Sequence, residues 1–148
     1  MSTSNLETLT ACEQFIEALG DAVIICDSDG VIRLWNAAAE RLFGFTQAEA
    51  LGSSLDLIIP ERLRERHWNG YTKAMESGET RYSHDLLRVP AVHKDGRVLS
   101  IAFTVSLLFT TERKVKGIVA VIRDETKRFA EERDLRKRLA ELEGKHGA

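Results

Sequence analysis

Residues 30–45 read Gly30-Val31-Ile32-Arg33-Leu34-Trp35-Asn36-Ala37-Ala38-Ala39-Glu40-Arg41-Leu42-Phe43-Gly44-Phe45. Val31 to Trp35 carries β-branched and aromatic residues, the composition of a short strand. Asn36 then stands where a helix begins, and its side-chain oxygen can accept a backbone N–H that the first turn leaves unpaired. The alanines that follow have the strongest intrinsic preference for helix. Gly44 ends the helix. The stretch predicts a strand passing into a short capped helix.

Upstream, the apolar run Ala22 to Cys26 and the turn Asp27-Ser28-Asp29-Gly30 complete a β-hairpin with Val31–Trp35. Before it, Leu6, Leu9, Phe15, Ile16 and Leu19 have loosely helical spacing, closed by Gly20. Downstream, Thr46 caps a second short helix that stops at Gly52, and Pro60 opens a longer helix at Glu61. Leu86–Val92, Val98–Phe109 and Val115–Ile122 then follow with polar turns between them, which predicts an antiparallel meander. Two strands, several short helices, three strands and a final helix give an α+β fold with helices on one face of a single sheet.

From Lys127 to Lys145 every residue is charged apart from Phe129, Ala130, Leu135, Leu139, Ala140, Leu142 and Gly144. Leu135, Leu139 and Leu142 follow the four-then-three spacing of a coiled-coil seam. The seam meets Arg128 and Glu132 when extended backwards, so it is short. The expected organisation is an N-terminal helical cap over 1–19, a central domain over 20–125, and a charged helix over 126–148 whose stripe pairs with a second copy or packs on its own domain, the long charged faces favouring pairing.

The length, 148 residues, suits one domain. A formal net charge of −2 gives no overall field for nucleic acid or an anionic membrane, and neither is expected as a partner. No run approaches the roughly 18 apolar residues of a membrane span, and the first residues lack the pattern of a signal peptide. A cytoplasmic location is expected. Cys12 and Cys26 are too few for a disulfide framework or a zinc site, and Cys26 reads as a small buried hydrophobe. There is no phosphate-binding loop, paired-histidine metal motif or nucleophile elbow, so the chain is not expected to be an enzyme.

Taken together, these residues resemble the PAS family. Gly30–Phe45 is similar to that family's second strand and first core helix, Glu49–Gly52 to the next turn, and Ile59-Pro60-Glu61 to the entry of its longest helix. Lys94-Asp95-Gly96 resembles its central hairpin turn. Arg123-Asp124-Glu125-Thr126 resembles the junction where such domains pass into an output helix, with Asp124 and Thr126 as its marked residues. The resemblance runs from about Phe15 to Thr126. It implies a five-stranded antiparallel sheet enclosing a pocket, and events in that pocket that shift the terminal helices.

The helix after Pro60 reads ERLRERHWNGYTKAM, with an expected inward stripe of Leu63, His67, Gly70, Tyr71 and Ala74. Arg62, Arg64 and Arg66 alternate with acids and read as a solvated face. His67 on an apolar face leaves three roles open: a core or rim histidine, a polar anchor for a small molecule, or an axial ligand to heme iron. Pro60 to His67 is similar to the corresponding helix of the rhizobial oxygen-sensor kinases, whose PAS domain binds heme b through a histidine at the matching position. There a tyrosine follows three residues later; here that place is Gly70, and Tyr71 comes next. Such a heme needs cationic groups at its rim. Lys73, Arg81, His84 and Arg88 are available in sequence, and His67, Tyr71, His84 and Arg88 form the candidate cofactor site.

Flavin-photoadduct and thioester-linked chromophores need a cysteine beyond Cys26, and none follows. Non-covalent flavin has no positive signal. Trp68 reads as a boundary residue, His93 as a turn residue and His146 as part of the tail. No kinase, cyclase or DNA-binding segment follows, so a stand-alone adaptor or a sensor piece is expected. The expected function is a homodimeric sensory or relay module acting on a histidine kinase or other signalling partner. Its rivals are a ligand-free dimerisation domain with His67 structural, and a heme protein with peroxidase-type chemistry.

Overall fold

The computed structural model describes residues 3–80 and 84–146. Helix α1 spans Thr3–Ala18, followed by strands β1 (Ala22–Asp27) and β2 (Ile32–Trp35). Helices α2 (Ala37–Phe43), α3 (Gln47–Ala50) and α4 (Arg64–Ser77) come next, with 3-10 turns at Leu55–Ile58 and Glu61–Leu63. Strands β3 (Leu87–Val92), β4 (Val98–Phe109) and β5 (Val115–Asp124) lead into α5 (Thr126–His146). The fold is α+β, as the order of strand and helix signals predicts.

The sheet order is β2-β1-β5-β4-β3, antiparallel at every pairing. The first hairpin occupies one side, α2 to α4 carry the chain across, and the meander returns so that β5 pairs with β1. Ile24 faces Ala120 and Cys26 faces Ile118 in that central pairing. These residues, with Ile101, Ile122, Trp35 and Phe43, belong to one core beneath the crossing helices. Alternation sends Val119, Val121 and Arg123 to the opposite face.

Local chemistry sets the helix ends. Asn36, fully buried, caps α2 by accepting from Ala39 N–H. Gly44 closes α2 at φ +81°, a left-handed conformation that L side chains adopt at a cost. The His93 ring packs over Gly44 where a Cβ would sit, and Lys94 N–H donates to the Phe43 carbonyl, so the β3–β4 turn closes on the end of α2. Thr46 and Glu49 form a reciprocal capping box at α3.

Two expectations need correction. The segment after Pro60 begins as a 3-10 turn, and α-helix starts only at Arg64. The Arg64 guanidinium reaches back to the Ile59 carbonyl (3.2 Å) and to the Asp56 carbonyl (3.4 Å), which also accepts from Ile59 N–H. Arg64 is half-buried, its side chain 43% exposed, so it bonds inward from the edge of the solvated face. The inward stripe of α4 is Leu63, His67, Trp68, Tyr71, Ala74 and Met75, with Gly70 exposed. Residues three and four before Tyr71 share its face, whereas Gly70 is turned about 100° away.

Candidate functional site

The inner side of α4 stands against the 3-10 turn Leu55–Ile58 and the turn between β1 and β2. His67 closes its first turn, half-buried, with a buried Nδ1 that has no hydrogen-bond partner. Burial lowers its pKa below 6.5, and the charge of Asp56 opposes part of that shift, so the ring is held neutral at neutral pH. A neutral imidazole carries one N–H and one free lone pair.

Three rings cluster there. The His67 and Trp68 centroids lie 4.6 Å apart, edge to face, and His67 and Tyr71 lie 5.8 Å apart. Trp68 meets Tyr71 at 5.2 Å. The Trp68 indole N–H donates to Asp56 Oδ1 at 2.6 Å, and its ring lies over Gly30. Gly30 has φ +80°, and a Cβ there would fall 2.3 Å from two Trp68 ring carbons, so this position admits only glycine. The Tyr71 hydroxyl donates to the backbone carbonyl of Asp27. Burial raises its pKa, and Cys26, Asp27 and Asp29 push the same way, so it stays a protonated donor. Burial first, then the Asp27 charge, pushes the Cys26 thiol up to about 12 and leaves it unreactive.

The side chain of Asp27 organises the same corner. Its Oδ1 accepts from Asp29 N–H and Val31 N–H, and its Oδ2 from Arg33 Nε. Desolvation alone would raise its pKa, but bonds from Val31, Arg33 and Asp29 outweigh it and hold the carboxyl below its ordinary range.

Of the sequence-predicted cofactor residues, His67 and Tyr71 come together and the others do not. His84 is exposed just before β3. Arg88 is exposed and pairs with Ala102, which pairs with Arg123, so it lies on the sheet face away from α4. Lys73 is exposed on the outward side of α4, and Arg81 lies outside the described residues. Asp56 carries no motif and Gly30 reads in the sequence only as a turn residue; their part in the corner becomes visible through their contact with Trp68.

The junction residues form a second constellation. Asp124 Oδ1 accepts from Thr126 N–H at 2.9 Å, and Thr126 Oγ1 accepts from Ser100 N–H at 3.0 Å. Glu125 N–H donates to the Ser100 carbonyl at 2.7 Å. The start of α5 is thereby clasped to β4. A hollow of about 360 Å³ lies beside it, with Asp21, Arg41 and Arg123 on its rim and Arg123 paired to Asp21 at 3.2 Å. Among the described residues no helix is long and apolar enough to cross a membrane.

Comparison with known proteins agrees with this architecture. The PAS fold matches residues 11–124. The chain is similar to the oxygen sensor protein DosP of Escherichia coli, 30% identical over 115 residues, covering 78% of this chain and 14% of DosP. It is also similar to the sensor protein FixL of Bradyrhizobium diazoefficiens, 40% identical over 58 residues, covering 39% of this chain and 12% of FixL. The chain thus spans less than a fifth of the length of these curated relatives. The crystal structure of a PAS domain from Colwellia psychrerythraea superposes with TM-score 0.71 at 22% identity, over 81% of this chain and 98% of that one, a likeness of fold. With its five-stranded sheet, crossing helices and matched residues, the chain belongs to the PAS family.

Proposed function

We propose that this PAS sensory domain takes a ligand at His67, heme b with His67 as the axial ligand, and passes the state of that site to α5. The carrying observation is the buried His67 Nδ1 without a hydrogen-bond partner. Leaving such an atom unpaired costs about 1–3 kcal/mol, a cost that a group bound at the ring would offset. The residues fit an imidazole-held group: the ring is kept neutral, the form that ligates iron. Trp68 and Tyr71, themselves in contact, set its orientation from one side. When bound, heme supplies an iron able to hold a small gas or change redox state. The word oxygen in the name of DosP supports that signal class.

On this reading residues 1–19 are a helical cap, 20–125 the sensory domain, and 126–148 the output helix. That helix joins two copies and engages a kinase-type partner, in keeping with the histidine kinase AtoS of Escherichia coli, 24% identical over 137 residues. The domain itself does no catalysis. A second reading, a ligand-free dimerisation module, draws on the closed packing of Trp68 and Tyr71 around His67.

Titration of the purified chain with hemin separates the two. The expected result is a Soret band that saturates at one equivalent, shifts with reduction and carbon monoxide, and is lost or displaced in His67→Ala. A featureless visible spectrum at saturating hemin would leave His67 structural and favour the second reading.

A further inference from the structure

Helix α4 is fastened to the rest of the domain at its beginning. Arg64 bonds to the carbonyls of Asp56 and Ile59, Trp68 to the Asp56 carboxylate, and Tyr71 to the Asp27 carbonyl. Beyond Tyr71, the side-chain hydrogen bonds seen among the described residues of α4 are local, with Ser77 turning to Glu79. His67 packs against both of these rings, 4.6 Å from Trp68 and 5.8 Å from Tyr71, so its inner side is uncovered only as they move.

The two bonds differ in how readily they break. Tyr71 is buried, and its hydroxyl would lose its acceptor with little water at hand. Trp68 stands at the rim, and the Asp56 side chain is 39% exposed, so water can replace the protein partner on the carboxylate once the bond opens. Nor does the ring need to be unthreaded, since Gly30 presents no side chain beneath it. The rim bond is therefore the first to release.

We propose that the Trp68–Asp56 hydrogen bond is the catch of a lid: the first two turns of α4 lift from the Leu55–Ile58 turn to admit ligand to His67, at a rate set by the opening of this catch. The proposal rests on the reading that His67 takes a ligand. Its test therefore includes a readout that needs none.

Amide hydrogen exchange along α4 would be measured in the ligand-free chain, alongside the rate of hemin uptake, for the wild type, Trp68→Phe and Asp56→Ala. Trp68→Phe removes the donor together with the part of the ring that lies over Gly30, whereas Asp56→Ala removes the acceptor and leaves the indole in place, so an effect common to both belongs to the bond. The central strands β1 and β5 report whether each variant is folded. The expected result is exchange in α4 about tenfold faster in both variants, as loss of one charge-assisted bond implies. Protection in β1 and β5 should be unchanged, and hemin uptake should accelerate by a similar factor. Unchanged exchange in α4, or faster exchange with an unchanged rate of hemin uptake, would overturn the lid. Faster exchange in α4 with no hemin bound by any of the three proteins would support the opening of the catch and overturn the heme reading instead.

Discussion

Asn36 shows how much one side chain can hold. Its Oδ1 accepts from Val23 N–H and Ala39 N–H, and its Nδ2 donates to the carbonyls of Ile16 and Asp21. One residue thus caps α2, completes β1 and ties down the end of α1. Asn36→Ala should cost about 3 kcal/mol, combining a lost cap with a buried Val23 N–H left unpaired. Urea unfolding would measure it, and a loss below about 0.5 kcal/mol would contradict the role. The cap was legible in the sequence, because capping is local. The reach to Ile16 and Asp21 was not, because it depends on where α1 packs.

His67 gives a prediction with a definite sign. In the unfolded chain its imidazole titrates near 6.5, and in the folded protein burial lowers that value despite the Asp56 charge. The unfolded state therefore binds more protons as pH falls through about 6.5, and stability declines from there toward the folded pKa. Above that window the contribution of His67 is constant. The difference in unfolding free energy between wild type and His67→Leu, taken at several pH values, isolates this residue from the other histidines. It should shift against the wild type below pH 6.5, and a difference independent of pH would contradict a buried neutral ring.

At the scale of elements, α5 carries the clearest expectation. Leu135, Leu139 and Leu142 are 63%, 57% and 54% exposed in the single chain, a stripe that pairing would cover. With Leu139 at heptad position a, the flanking positions are Glu131 and Arg138 on one side and Arg136 and Glu143 on the other. A parallel pair sets Glu131 against the second copy's Arg136, and Arg138 against its Glu143, all of opposite sign. Leu139→Asp should therefore shift the mass seen by light scattering from dimer toward monomer; an unchanged dimer would place the contact elsewhere. The clasp at the base of α5 is a separate matter. Thr126→Val removes the oxygen that accepts from Ser100 N–H and should cost about 1 kcal/mol. Hydrogen exchange at Ser100 would rise if so, and unchanged protection there would show that the clasp does not depend on Thr126.

Strands and helix ends were legible because periodicity and capping act over a few residues. The 3-10 turn before α4 and the inward position of Trp68 were not, since both depend on Asp56 and Gly30 across a tertiary contact.

For the whole molecule, sheet register decides which charged residues share a site. Arg88 looked available to a pocket while its strand was unpaired. Its pairing with Ala102, and through it with Arg123, puts it on the opposite face, and alternation turns every neighbour accordingly. The topology sets two constellations in one domain: the His67 corner under α4 and the Asp124–Thr126 clasp at the far end of β5. β1 and β5 lie side by side between them, since Asp27, which holds Tyr71, pairs with Gly117 near the start of β5. The most direct test of the ligand site is chemical rescue. His67→Gly should fail to give the wild-type heme spectrum on its own, and added free imidazole should restore the Soret band and its shift with carbon monoxide. A His67→Gly protein that binds hemin with the wild-type spectrum in the absence of imidazole would contradict His67 as the axial ligand.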